Sequence, residues 1–376
     1  MRDCLEVRVS LRNGGQVPVT PRVRVESNRG PTDWAAPPAP LAPGAALEVA
    51  VPFAASVPWR GVRRDTDPPS WGGQPGTGTE FGSDAVGAVT FSADRPQAGA
   101  VVVVEAVRAG LAAGPELPDW LGKRPPVQGD WVRTFDDAFD GSALDLSKWN
   151  NTGPNYWDRT SHWSKDNLIV GGGVARLRYE KKTGRHNDEP DGKESDYAGG
   201  YLDTYGKWVQ RYGYFEARMK LPTAPGLWPA FWMMPDRGTE AGPQWVRQST
   251  RNGGMELDIM EHLTRWGPYH YHIAMHWDGY EEDHKTMGSS GIYVQPDEEG
   301  FFTAGLLWTP GLLVYYANGR EVGRWEDPRV SSVASDMMFT MPMGGWDNSR
   351  LEDSRLPDEL VIDYVRAWQR RDLMQP

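Results

Sequence analysis

GGMELDIMEHL, residues 253–263, sets three carboxylates into an apolar run: Glu256, Asp258 and Glu261 are interleaved with Leu257, Ile259 and Met260. Apolar and branched residues between charges read as a strand, whose side chains alternate between two faces. Glu256 and Asp258 then share a face, while Glu261, an odd number of residues beyond both, points to the other. One extra residue near Ile259–Met260, a β-bulge, returns Glu261 to the face of its neighbours. The motif therefore predicts a bulged strand with one charged, ligand-facing side. A charged edge strand in solvent is the plainer alternative, and the tryptophan-rich flanks speak against it.

The strand pattern continues on both sides of this motif. GGVARLRYEK, GYFEARMKLP, YHYHIAMHW, LLVYYANGREV and ELVIDYVRAWQR alternate with period two, and Asn-Gly in YANGRE marks a tight hairpin. Helical periodicity is almost absent. An all-β unit of this length implies two large stacked sheets, a concanavalin-like β-jelly-roll sandwich with a concave cleft. Earlier runs such as LEVRVSL, RVRVES and AVVVVEAV, separated by turn-rich stretches, suggest a smaller β-sandwich. The Pro- and Gly-rich stretch around residues 109–130 lies between the two halves. The expected division is an accessory sandwich over 1–118, a linker over 119–130 and a jelly-roll catalytic domain over 131–376. Trp59, Trp71 and Phe81 of the first half are read as core or domain-contact residues rather than sugar platforms.

Composition narrows the function. The 376 residues are 39% hydrophobic and 24% charged, with a formal net charge of -11. Phosphate backbones need a basic footprint, so nucleic acid is excluded as a partner. No apolar run is long enough for a membrane-spanning helix. The single cysteine, Cys4, excludes an internal disulfide. Eighteen tryptophans are the unusual feature; fourteen of them, and all seven histidines, follow residue 130. Indoles at that density point to flat sugar-like ligands, with packing between sheets as the ordinary use of each. MRDCLEVRVSL has no signal-peptide h-region. A secreted or periplasmic protein with its leader absent from this chain is expected, an intracellular one being the alternative. A monomer is expected.

Two carboxylates flanking a scissile bond are the equipment of a glycosidase, and retention requires them ~5–5.5 Å apart. Three on one face cannot all ionise cheaply, so at least one must hold its proton into the neutral range. ELDIMEH resembles the E-x-D-x-x-E signature of glycoside hydrolase family 16. YGYFEARMKLPTAPGLWPAFWMMP (212–235) and VIDYVRAWQ (361–369) are similar to flanking blocks of that family, in the same order. The resemblance covers residues 130–370 and implies a retaining, endo-acting enzyme.

By that resemblance Glu256 is the nucleophile, Asp258 its partner and Glu261 the acid/base, with His276 contacting the acid/base. Trp232 forms a stacking floor, flanked by Trp228. Glu216 and Arg218 are expected at the sugar, a solvated ion pair being the alternative. Asn155 and Trp157 are further sugar-binding candidates, with Arg159 behind them. The resemblance also implies a structural calcium at Asp363, for which an ion pair with a nearby arginine is the alternative; catalysis requires no cofactor. A zinc site at His270, His272 and His276 is disfavoured, because ~3.3 Å per residue spreads them too far along a strand. The expected substrate is an algal galactan of the agarose or porphyran type, the acidic chain favouring a neutral polymer. An endo-β-1,3(4)-glucanase is the alternative, followed by a transglycosylase or a non-catalytic polysaccharide-binding protein.

Overall fold

The computed structural model describes residues 1–155, 158–346, 348 and 350–374. Two sheets dominate. A six-stranded sheet runs in the order Tyr201–Asp203, Ser335–Thr340, Ala230–Pro235, Glu256–Glu261, His270–Trp277 and Lys285–Tyr293. A twelve-stranded sheet, with Gly213–Lys220 and Asp358–Arg370 near its middle, packs against it. Alternation explains the packing. Phe215, Ala217 and Met219 turn inward from Gly213–Lys220, and they meet Phe231, Met233, Leu257 and Ile259 of the smaller sheet in one core. The Phe231 and Phe339 rings stack 4.6 Å apart, and Trp277 stacks on Trp325 of the opposite sheet at 5.3 Å. Each such side chain fully removed from water contributes roughly 1.5–3 kcal/mol. With one face of the smaller sheet sealed in this way, its other face is left for the carboxylates. No helix among the described residues is long and apolar enough to cross a membrane.

The first half forms a small sandwich. A three-stranded sheet (Ala46–Pro52, Glu6–Asn13, Val102–Gly110) covers a two-stranded one (Thr20–Ser27, Val86–Asp94). Val7, Val9, Leu11, Val23, Val51, Phe53 and Phe81 fill it. Tyr293, from the edge strand of the six-stranded sheet, enters the same core; its hydroxyl donates to the Phe81 carbonyl at 2.9 Å and accepts from the Ser83 N–H at 3.0 Å.

The expected division at residue 118 needs correction. The hairpin Trp59–Arg64/Ser70–Gly73 leaves the sandwich and joins the twelve-stranded sheet, Trp59–Arg64 pairing in parallel with Arg320–Glu326. Trp59 lies in the main core, and Trp71 packs edge-on to Trp277 at 5.4 Å. The segment 119–130 is not a free linker either. Trp120 sits against Tyr214 and Tyr316 on the outer face of the large sheet, and Arg366 donates to the Gly122 carbonyl at 2.6 Å. The physical reason is the edge: an unpaired, apolar sheet margin is covered most cheaply by another strand.

Trp59→Ala is expected to cost about 3–5 kcal/mol of stability. Denaturation should show both halves lost in one transition at a lower midpoint; loss of the N-terminal sandwich alone, with the rest unchanged, would show that the halves are uncoupled.

Candidate active site

The bulge is present. Along the strand Ala230–Pro235 the register runs Ala230 with Glu261, Phe231 with Met260, then Trp232 with Asp258, skipping Ile259. On the other side Asp258 faces Ala274 and Glu261 faces His272, so two residues, Ile259 and Met260, stand against one, Ile273, on the partner strand. Ile259 and Met260 therefore both turn into the inter-sheet core, as two adjacent residues can only at a bulge. Glu261 returns to the concave face, where it lines a narrow cavity with Trp228, Trp232, Glu256, Asp258 and Thr340.

The three carboxylates sit in unlike surroundings. Asp258 is 2% exposed, and its Oδ2 has no hydrogen-bond partner. Burial and the neighbouring Glu261 and Glu256 hold it well above the ordinary aspartate range. Glu261 is raised too, by burial, and the Trp228 indole N–H donates to it at 3.2 Å. Glu256 is half-buried and raised by burial and by Glu261, while the Tyr280 hydroxyl donates a close hydrogen bond to its Oε2. A donor to the charged form favours ionisation, so Tyr280 opposes the upward pull at Glu256. His276 is kept neutral by burial, its pKa lowered to about 4, with His284 at 2.9 Å from its Nδ1. With that histidine uncharged, three negative charges cannot be held together at neutral pH, and the carboxylates share protons as one coupled group.

Several expected placements change. His276 lies opposite Glu256, with its Nε2 3.5 Å from Asp258; the residue facing Glu261 is His272. Without the bulge the register from Glu256–His276 would set Glu261 opposite Tyr271; the extra residue sets it opposite His272 instead. Glu216 and Arg218 are not beside the carboxylates. They lie on the outer face of the twelve-stranded sheet, because Phe215 and Ala217 take the inward positions of that strand. Glu216 is completely buried among Tyr214, Tyr364, Arg366 and Gly122, which raises its pKa to about 7, chiefly by desolvation. Arg218 spans Asp363 at 2.7 Å, Asp297 at 2.5 Å and Glu299 at 3.2 Å. A guanidinium thus holds the place a cation would take at Asp363, and these residues do not fit the expected calcium.

Trp232 is on the concave face, its indole donating to Thr340 at 3.1 Å. Asn155 belongs to the loop packed on Tyr201 at the far margin of the cleft sheet, where its Oδ1 accepts from the Asp158 N–H and its Nδ2 is buried without a partner. Arg159 is exposed. Trp157 lies outside the described residues. His270 stacks on Tyr293 at 4.5 Å, and His272 bonds to the Ser290 hydroxyl at 2.9 Å, so the three histidines do not converge on a metal. Among the described residues, one group of three metal-ligand side chains does lie within 4.8 Å, Glu256, Asp258 and His276. It includes the carboxylate expected to attack, so an ion held there would occupy the reaction centre.

Sequence reasoning missed Tyr280 and Trp346. Trp346 packs edge-on to Trp228 at 5.9 Å and against His272 at 5.4 Å, yet is half-exposed. Both sit in loops without periodicity. The only signal was an aromatic within a Gly-rich turn, GGW and DGY.

Comparison with known proteins follows the same geometry. The profile of the β-porphyranase A–D domain of glycoside hydrolase family 16 matches residues 130–370. A β-glucanase of Rhodothermus marinus is 29% identical over 261 residues, covering 64% of this chain and 85% of that protein. β-Porphyranase C of Zobellia galactanivorans is 31% identical over 312 residues, covering 68% and 83%. The crystal structure of LamAcat from Zobellia galactanivorans superposes with a TM-score of 0.54 at 22% identity, over 63% of this chain and 98% of that one, a likeness of fold.

Removing the phenol in Tyr280→Phe deletes a donor to the ionised form of Glu256, so the Glu256 pKa rises. The acid limb of the pH–rate profile is expected to move upward by about one to two units, given ~1.5–3 kcal/mol for a charged hydrogen bond; an unmoved limb would contradict this. Glu216 carries a separate pH signature. Its folded pKa, raised to about 7, exceeds the unfolded value, so its proton stabilises the fold below the unfolded pKa and that stability is lost as pH rises through 7. Glu216→Gln should flatten the decline in melting temperature between about pH 5 and 8.

Proposed function

Because the chain belongs to glycoside hydrolase family 16, we propose that it is a retaining endo-glycosidase that cuts a β-linked galactan of the agarose or porphyran type by double displacement. The observation that carries the mechanism is the bulge, which sets Glu256 and Glu261 on one face of one strand. Glu256 attacks the anomeric carbon as the glycosidic C–O bond breaks, and Glu261 gives its proton to the departing oxygen. The product is a glycosyl ester on Glu256 and a carboxylate on Glu261. Glu261 then takes a proton from water, the water oxygen bonds to the anomeric carbon, and Glu256 leaves as a carboxylate.

The environments suit these roles. Tyr280 stabilises the charged Glu256 needed for attack, and burial raises Glu261 to about 7, where it can give and take a proton near neutral pH. Asp258, buried and protonated between them, keeps the site from accumulating a third charge. Trp232 and Trp228 supply apolar faces beside the reaction centre, where a pyranose ring can stack.

The galactan reading rests on the match to the β-porphyranase domain over residues 130–370, and the acidic net charge favours a polymer with few charges of its own. The similarity to the Rhodothermus marinus β-glucanase favours a second reading, an endo-β-1,3(4)-glucanase. Reducing-end release from agarose, porphyran, laminarin and mixed-linkage glucan separates the two. Oligosaccharides from agarose or porphyran are expected, with loss of activity by at least about a thousandfold in Glu256→Ala; release from the glucans alone would replace the galactan reading by the second.

A further inference from the structure

The concave face does not stop at its edge strand. Beyond Lys285–Tyr293, against the loops around residues 29–33 and 73–80 of the N-terminal half, lies a cavity of about 780 Å³. That is within the ~300–1,000 Å³ typical of small-molecule sites. Gly288, Ser289 and Ser290 of the edge strand line it together with His272. His272 is the cross-strand neighbour of Glu261, and its Nδ1 lies 2.9 Å from the Ser290 hydroxyl. The cavity therefore begins one strand away from the acid/base and shares a side chain with the cleft.

Its opposite wall comes entirely from the first half: Arg29, Asp33, Arg64, Gln74 and Glu80. Arg29 is already neutralised by Asp84. The remaining charges are one guanidinium, Arg64, and two carboxylates, Asp33 and Glu80. Such a wall offers donors and acceptors together without net positive charge. A sulfate ester needs an excess of cationic donors, whereas a sugar hydroxyl both donates and accepts and fits a mixed lining. The family match begins at residue 130, so this wall lies outside the part of the chain that the family describes.

We propose that this cavity is a distal subsite of the cleft, in which the N-terminal half holds an uncharged sugar unit of the same polysaccharide chain that is cut at Glu256 and Glu261. The inference rests on the hydrolase reading. It gives the first half a direct part in substrate binding, beyond the hairpin that completes the sheet.

The test uses the full chain with Arg64→Ala and Glu80→Ala combined; both side chains are exposed, so the fold is retained. The probes are short and long agaro- and laminari-oligosaccharides, taken from whichever series the unmodified chain cleaves. For long oligosaccharides kcat/KM should fall about tenfold through KM, with kcat and the rates on short ones unchanged. Unchanged kcat/KM on the long series, or an equal loss on both, overturns the subsite. If the unmodified chain cleaves neither series, the hydrolase reading fails separately. Calorimetry of the same long oligosaccharides with the Glu256→Gln chain, with and without the two wall substitutions, then decides the subsite alone: weaker binding supports it, and equal binding overturns it.

Discussion

A regular strand can show one face only every second residue, so Glu256, Asp258 and Glu261 cannot act together unless the strand breaks its own rule once. The break falls at Ile259, and the cost is a local loss of ladder pairing between Asp258 and Glu261. That cost is offset beneath the strand, where Ile259 and Met260 are both sealed in the inter-sheet core. The core thus holds the bulge in place, and the bulge holds the third carboxylate in the cleft. Loosening the packing under Ile259 would disturb the chemistry without touching a polar atom.

Burial creates the second constraint. Three acids enclosed with a neutral histidine cannot all be charged, so they titrate as one coupled group, with a phenol donor on Glu256 and an indole donor on Glu261. A nucleophile and an acid need opposite protonation states at one pH. The sheet supplies identical residue types, and the loops and flanking aromatics make them different.

Much of this was legible in the sequence, because alternation is a local property. The odd spacing within ELDIME announced the bulge, and the period-two runs announced the sheets. What alternation cannot say is which of two faces is the inner one. Glu216 and Arg218 share a face as read, but it is the outer face of the other sheet. Parallel pairing between distant segments also leaves no local trace, so the hairpin Trp59–Arg64/Ser70–Gly73 read as part of a separate sandwich. That His272 rather than His276 stands opposite Glu261 follows from the antiparallel register, which spends His276 on Glu256 and, with the bulge, brings His272 to Glu261. Tyr280 and Trp346 were invisible because loops carry no period.

A 2-deoxy-2-fluoro glycoside of the cleaved polymer's repeating unit, with a good leaving group, slows the second displacement more than the first and lets the intermediate accumulate. Intact mass and peptide mapping of the trapped protein then read the attachment point directly. The bulged-strand mechanism predicts one added glycosyl group on the peptide containing Glu256, carried by that side chain. Attachment at Glu261, or turnover without any adduct and with an inverted product, would contradict it.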